Sequence, residues 1–312
     1  MKPFKTLDEQ VDLLKKRGLI FSDESNAKYV LLLNNYYNII NCFAKFFMNP
    51  DDTFKHGTSF DEIVAVRRYD KEVKMIFFKS IIQIENYFKS ILAYRFSEKF
   101  PSPDYPYLNV SNFQQNDILS AVKLITTIAK AIEHNSKIKG NPIYHYKNNH
   151  STIPFWIITN YMNFGQLVTF YKNLDCSLQN VIAKDFSSFL CENLSVPSVQ
   201  INPPALISIL NNVVEVRNVV AHNNKLLNCS CKNHIHYIKQ LHSAYNINNT
   251  DQQQSVYHVF IAMQALMPKK HYDILHNALK AKTKDLEAEL NTISIDDILD
   301  SLGFPLQWHN KS

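Results

Sequence analysis

The stretch "FDEIVAVRRYDKEVKMIFFKSIIQIENYFKSILAYRFSEK", residues 60–99, decides the fold class. Apolar residues recur along it at spacings of three and four, and no Pro or Gly interrupts them. This pattern predicts one long helix. Ser59 and Glu62 form a capping-box pattern at its start, and "PSPDYP" at 101–106 predicts the loop that follows it.

The flanking sequence repeats this helical periodicity and nowhere shows the sustained alternation typical of strands, so we predict an all-α fold. We expect one unit, 1–312, with N-terminal helices in 1–50, a core in 60–228 and a C-terminal helical extension in 230–312. A polar, irregular segment is expected at 135–153, and one helix, or two broken near Gly165, after Pro154. The other helices are predicted from Thr6 to Gly18 and near 23–47, 112–134, 178–194, 203–222, 232–246, 252–266, 268–291 and 295–302.

Composition excludes several classes of protein. The chain has 312 residues but only five glycines, no two of them close together, which argues against Rossmann and P-loop nucleotide sites. The net charge of +5 is a mild bias toward polyanions. The five cysteines lie mostly inside helical patterns, no apolar run reaches about 18 residues, and the polar start does not resemble a signal peptide. We therefore expect a cytoplasmic protein without a membrane span.

The motif "VEVRNVVAHNNKLLN", residues 214–228, carries the candidate chemistry. Of the five arginines, only Arg217 has a histidine five residues later, His222. Asn218 lies four residues before that histidine, on the same helix face, whereas Arg217 lies about 140° around the helix. The "HNNK" segment is typical of a helix end, because Asn tolerates the left-handed conformation of a C-cap. At such an end the arginine can reach across to the histidine.

These residue types suit RNA cleavage, with Arg217, Asn218 and His222 as catalytic residues. A histidine exchanges protons near neutral pH, and an arginine binds phosphorane oxygens in a bidentate manner. With the RNA 2′-hydroxyl as nucleophile, the reaction requires no metal or other cofactor. It would leave a 2′,3′-cyclic phosphate (or a 3′-phosphate) and a 5′-hydroxyl. Without further context, the pair fits a surface cation and a polar helix cap better than a catalytic site.

Five blocks in order resemble the abortive-infection (Abi) phage-resistance family, the AbiD/AbiF-like proteins of the HEPN superfamily of helical RNases and RNA-binding proteins. The motif "RNVVAHNNKLLN" resembles the family's Arg-Asn-x-x-Ala-His sequence. The long helix resembles the family's own, with Asp70, Ile84–Glu85 and Arg95. The other blocks are 5–47 with its Tyr36–Tyr37 pair, "YHYKNNHSTIPFWIITNYMNFGQLVTFYKNL" at 144–174, and "SLGFPLQW" at 301–308.

The resemblance implies a HEPN-like helical bundle with additional N- and C-terminal helices, acting in phage defence as an RNA-binding endoribonuclease. Such RNases commonly build one site from two facing motifs, so a single motif per chain implies a homodimer or a partner with a second motif. Family members often have an arginine where this chain has Lys225. Two alternatives remain open: a non-catalytic binder of a structured noncoding RNA, and a toxin held by an antitoxin partner.

Further candidate RNA contacts are basic residues interleaved with aromatics, a pattern that suits phosphate contacts and base stacking. A solvated helix face and loop would show the same pattern. Tyr36 and Tyr37 are expected in the core. The predicted contacts are Arg95, His145, Tyr146, Lys147, His150 and Lys225. Cysteine and histidine also cluster in Cys229, Cys231, His234 and His236, but their spacing does not fit common zinc sites, so no metal is predicted.

Overall fold

The computed structural model describes residues 4–101, 104–150 and 152–310. Over these ranges the protein is all-α, as predicted, and no β-sheet forms. Positions 102, 103 and 151 of the predicted loop and polar segment lie outside the described residues. The α-helices are α1 Leu7–Lys16, α2 Glu24–Asn34, α3 Phe60–Lys99, α4 Ile118–Asn135, α5 Pro142–Asn149, α6 Phe155–Ile158, α7 Phe164–Asn173, α8 Cys176–Leu194, α9 Pro203–Ala221, α10 Lys239–Ser243, α11 Val256–Ala262, α12 Lys269–Glu287 and α13 Ile295–Asp300.

Helix α3 is the axis of the fold. Its 40 residues span about 60 Å, and both capping-box hydrogen bonds between Ser59 and Glu62 are present, as predicted. Helix α1 lies between Thr6 and Gly18, as predicted: Thr6 and Glu9 form a capping box at its start, and Gly18, whose φ is 91°, follows its end. The α3 side chains Phe77, Ile81, Phe88 and Phe96 are fully buried.

Helices α8 and α12 run antiparallel to α3, on its second and first halves respectively. Arg95 of α3 forms two hydrogen bonds with Asp185 of α8, at 2.7 and 2.8 Å. The Tyr69 hydroxyl lies 3.0 Å from Thr283 Oγ1 of α12. At the start of α3, Glu62 accepts hydrogen bonds from the backbone N–H groups of residues 291 and 292. One continuous hydrophobic cluster extends from Val11 to Trp308.

Three sequence-based predictions need correction. The helix predicted at 23–47 breaks after α2, because Asn35 adopts a φ of 55° and its side chain accepts from the Asn38 N–H. A π-helix, Tyr37–Asn41, and a 3₁₀-helix, Ala44–Phe47, follow. The segment predicted to be irregular contains α5, which Asn141 caps. The helix predicted at 232–246 contains only the five-residue α10.

Candidate active site at the end of helix α9

Helix α9 ends where its sequence predicts. Its start is fixed by Asn202, whose side chain accepts a hydrogen bond from the Ala205 N–H at 2.9 Å. His222 occupies the C-cap, and Asn223 follows in the left-handed region with φ of 55°. The N–H of Asn224 donates to the Val219 carbonyl at 3.0 Å, closing the turn. The left-handed residue expected in "HNNK" is therefore present.

The three predicted catalytic residues share this last turn. Arg217 is partly exposed, and Asn218 and His222 are exposed. Arg217 Nη1 donates to Asn218 Oδ1 at 3.4 Å, and the His222 N–H donates to the Asn218 carbonyl at 3.1 Å. The latter bond is made by the backbone of His222; within the described part of the chain, its imidazole forms no hydrogen bond. Asn218 and His222 are therefore exposed at the end of α9, and Arg217 is partly exposed beside Asn218.

Helix α3 holds the turn that follows the motif. Asp70, which is 1% exposed, accepts hydrogen bonds from the N–H groups of Leu226 and Leu227 at 2.8 and 3.1 Å. Its other oxygen pairs with Lys74 Nζ at 3.0 Å. Lys74 in turn donates to Asn223 Oδ1 at 2.9 Å, beside His222. Asp70 and Lys74 therefore position the motif, although neither belongs to it.

Motif sequence alone does not reveal these two positioning residues. Asp70 was noted only for its family resemblance; a further signal for both residues is that a charged residue occupies a core-facing position of a helix, where charge is rare unless it is paired. Asp70 falls between Val66 and Val73 on the buried face of α3.

Lys225, predicted to bind RNA, has structural partners in the N-terminal segment. Its Nζ donates to the Cys42 carbonyl at 2.8 Å and lies 5.7 Å from the ring centroids of both Phe43 and Phe46. Burial lowers the pKa of this ammonium below its usual value. Its hydrogen-bond and ring partners are thus neutral groups of the N-terminal segment.

The other predicted RNA contacts form a separate surface on α5. His145 and His150 are exposed, and Tyr146 is partly buried, with its ring centroid 4.9 Å from that of His150. Lys147 is exposed and donates to Ser136 Oγ at 3.2 Å. Helix α5 packs against α4 and α6. The structure therefore brings these four side chains together as one aromatic and basic patch.

Arg95 lies far from the motif. It is 25 residues after Asp70 on the same helix, which corresponds to about 38 Å. Its guanidinium is engaged by Asp185 and by Glu98, the latter at 2.8 Å. These two carboxylates raise the pKa of the guanidinium above its usual value. Arg95 thus joins α3 to α8 and is not brought to the candidate site.

Cys231 and His236, two of the residues considered for zinc, are held by other parts of the protein. Cys231 is buried, with its Sγ 3.9 Å from the Asn212 carbonyl oxygen, and burial raises its thiol pKa to about 12. The backbone N–H of His236 donates to Ser208 Oγ. Residues 4–101, 104–150 and 152–310 contain no group of three or more His, Cys, Asp or Glu side chains that could hold a metal ion.

Comparison with protein families decides the relationship. The family model described as "Abi-like protein" matches residues 29–228, from α2 through the turn after the motif. The chain belongs to the Abi-like protein family. This membership associates it with abortive infection of phage-infected cells. No curated protein and no solved structure matches it.

The matched region of this Abi-like protein includes both the motif and the α3 residues that position it. Helices α10–α13 lie outside the match. None of the described helices has both the length and the apolarity that a bilayer crossing requires.

Proposed function

We propose that this Abi-like protein is a metal-independent endoribonuclease of the HEPN type, with Arg217, Asn218 and His222 as its catalytic residues. One observation carries the proposal: the three residues lie within six positions at the end of α9, where Asn218 and His222 are exposed and Arg217 is partly exposed. An exposed turn admits a polymer strand, which a closed cavity would exclude.

The chemistry follows from what these groups exchange. His222 takes the proton from a ribose 2′-hydroxyl, and the 2′-oxygen attacks the adjacent phosphorus. The bond from phosphorus to the 5′-oxygen breaks, and that oxygen takes a proton as it leaves. Arg217 stabilises the negative charge on the phosphorane oxygens, and Asn218 orients the arginine through the hydrogen bond described above. The products are a 2′,3′-cyclic phosphate and a 5′-hydroxyl.

The proposal includes a homodimer, because one histidine does not serve both sides of the phosphorus at once. The attacking and leaving oxygens of an in-line displacement lie on opposite sides of the phosphorus, so base and acid must approach from two directions. The described residues of one chain place a single Arg-x4-His motif on this surface. A second copy, with its own His222 facing the first, supplies the missing acid.

End-labelled RNA tests the enzyme directly. We expect His222→Ala and Arg217→Ala to lower the cleavage rate at least about 100-fold. His234→Ala and Arg68→Ala are matched controls, since both residues are exposed and lie outside the motif. EDTA should leave the rate unchanged, and a 2′-deoxy substitution at the cut position should abolish cleavage there. Cleavage by His222→Ala at the wild-type rate would refute the proposal.

RNA binding without cleavage is the second candidate function, because no side chain in the described residues forms a hydrogen bond that orients the His222 ring. A general base is normally held by a further group, and without one the motif is suited to binding RNA rather than cutting it. In that case wild-type protein would copurify with one defined, uncut RNA in stoichiometric amount. A toxin held by an antitoxin would instead copurify with a protein, and the same purification distinguishes the two.

A further inference from the structure

A cleft of about 300 Å³ adjoins the motif, between the N-terminal segment, α3 and the turn after α9. Asn223 and Asn224, the two residues that follow His222, form one wall. Arg67 and Lys71 line it from α3, and Tyr37 lines it from the π-helix. A strand that occupies this cleft therefore leaves it beside the catalytic turn.

The cleft has an uncompensated positive charge. Its lining includes four cations, Arg67, Lys71, Lys74 and Lys225, and one carboxylate, Asp70. The Asp70 carboxylate is already paired with Lys74. The cleft lining therefore has an excess of three positive charges. A small concave surface concentrates the electrostatic field of such charges.

The three remaining cations have no carboxylate partner in the described structure. Arg67 donates to the neutral Asn34 Oδ1 at 2.6 Å, and Lys225 donates to the Cys42 carbonyl at 2.8 Å. Lys71 is exposed, and no residue that the structure describes forms a hydrogen bond or ion pair with it. Arg67 and Lys71 are four residues apart on one helix, a spacing at which like charges repel. An anion bound between them would relieve this repulsion.

The ring of Tyr37 lines the same cleft. Tyr37 was expected in the core, but it is 66% exposed. A largely exposed ring beside cations that have no carboxylate partner in the described structure suits a nucleotide, since the base stacks on the ring and the phosphate contacts the cations. The volume is at the lower end of the range for small-ligand sites, so the cleft suits one unpaired nucleotide.

We propose that Tyr37, Arg67, Lys71 and Lys225 form a subsite for one unpaired nucleotide of single-stranded RNA, next to the phosphate that is cut. This inference rests on the proposed function and adds to it: the substrate is unpaired at the nucleotide beside the cut. Tyr37 holds the base, and the cations hold the phosphate of that nucleotide.

Fluorescence anisotropy with a short labelled oligouridylate tests the subsite in the His222→Ala background, where the RNA stays intact. Lys71→Ala should weaken binding about fourfold at 150 mM salt and reduce the salt slope by about 0.7, the loss of one phosphate contact. Lys79→Ala is the matched control, an exposed lysine of the same helix outside the cleft. Equal effects of the two substitutions would overturn the proposal.

The ring is tested separately. Tyr37→Leu should weaken binding about fivefold or more, and Tyr37→Phe should keep wild-type affinity because it keeps the stacking surface. A blunt RNA duplex should bind Lys71→Ala and the unsubstituted background equally well. Unchanged affinity of Tyr37→Leu, or an equal loss with the duplex, would refute a nucleotide subsite. The enzyme proposal fails independently, by undiminished cleavage in His222→Ala.

Discussion

Substituting Asp70 by alanine tests whether helix α3 holds the catalytic turn. The side chain is 1% exposed and makes three contacts: two backbone N–H groups donate to Oδ1, and Lys74 pairs with Oδ2. Alanine removes all three contacts at once. The N–H groups of Leu226 and Leu227, both buried residues, then lose their acceptor, and Lys74 loses its counter-charge.

The magnitude follows from these contacts. Breaking a buried ion pair by removing one partner costs about 3–5 kcal/mol, and each unsatisfied backbone donor about 1–3 kcal/mol. Lys74 keeps its hydrogen bond to Asn223, which offsets part of the loss. We therefore expect Asp70→Ala to lower the free energy of unfolding by about 5 kcal/mol, the low end of these combined costs. Asp70→Asn, which keeps an acceptor oxygen, should cost about half of that.

Urea unfolding followed by circular dichroism measures the effect. Lys71→Ala, next to Asp70 but exposed and unpaired, is the control and should stay within about 0.5 kcal/mol of wild type. Replacing both partners, as Asp70→Leu with Lys74→Met, should recover part of the loss, because no buried charge is left unpaired. A loss below about 1 kcal/mol for Asp70→Ala would refute this account of the turn.

Two further predictions concern the C-terminal helices. Gly303→Ala should cost about 2 kcal/mol more than the control Gly140→Ala: both glycines have a positive φ, but only at Gly303 would the new Cβ lie 2.2 Å from Ser255 Oγ. Thermal unfolding of the two variants measures this difference, and equal melting temperatures would contradict it. Burial, together with the nearby His242, lowers the pKa of His258 from 6.5 to about 4. Between these pH values the unfolded chain binds a proton that the folded chain does not, so the free energy of unfolding should fall as pH decreases through this window. In His258→Gln the fall should be smaller than in the wild type by about 2–3 kcal/mol. Identical pH profiles of the two proteins in urea titrations would count against this prediction.

Features encoded by neighbouring residues were predictable from the sequence. The capping box at Ser59, the uninterrupted periodicity of α3 and the Asn-rich end of α9 all depend on local interactions. The break at Asn35 was missed because the surrounding residues are apolar enough for a continuous buried helix. One asparagine in a left-handed conformation ends that helix and exposes Tyr37.

The wider site depends on contacts between distant parts of the chain, which no local pattern contains. The motif supplies the three candidate catalytic groups, but Arg67 and Lys71 reach the same surface from α3, about 150 residues earlier. Conversely, Lys225 lies two residues beyond Asn223 and yet its side chain binds the N-terminal segment. Sequence proximity to the motif therefore identified only one cation of the proposed subsite, Lys225, and not Arg67 or Lys71.

The bond between Asp70 and the turn after the motif also bears on synthesis of the protein. The two partners, Asp70 and Leu226, are separated by 156 residues. At about 5–20 residues per second, a ribosome takes roughly 8–30 s to pass from one to the other. During that interval α3 has been made without the turn that it holds. A nascent chain that ends before Leu226 therefore has Asp70 in place but lacks the turn that Asp70 binds.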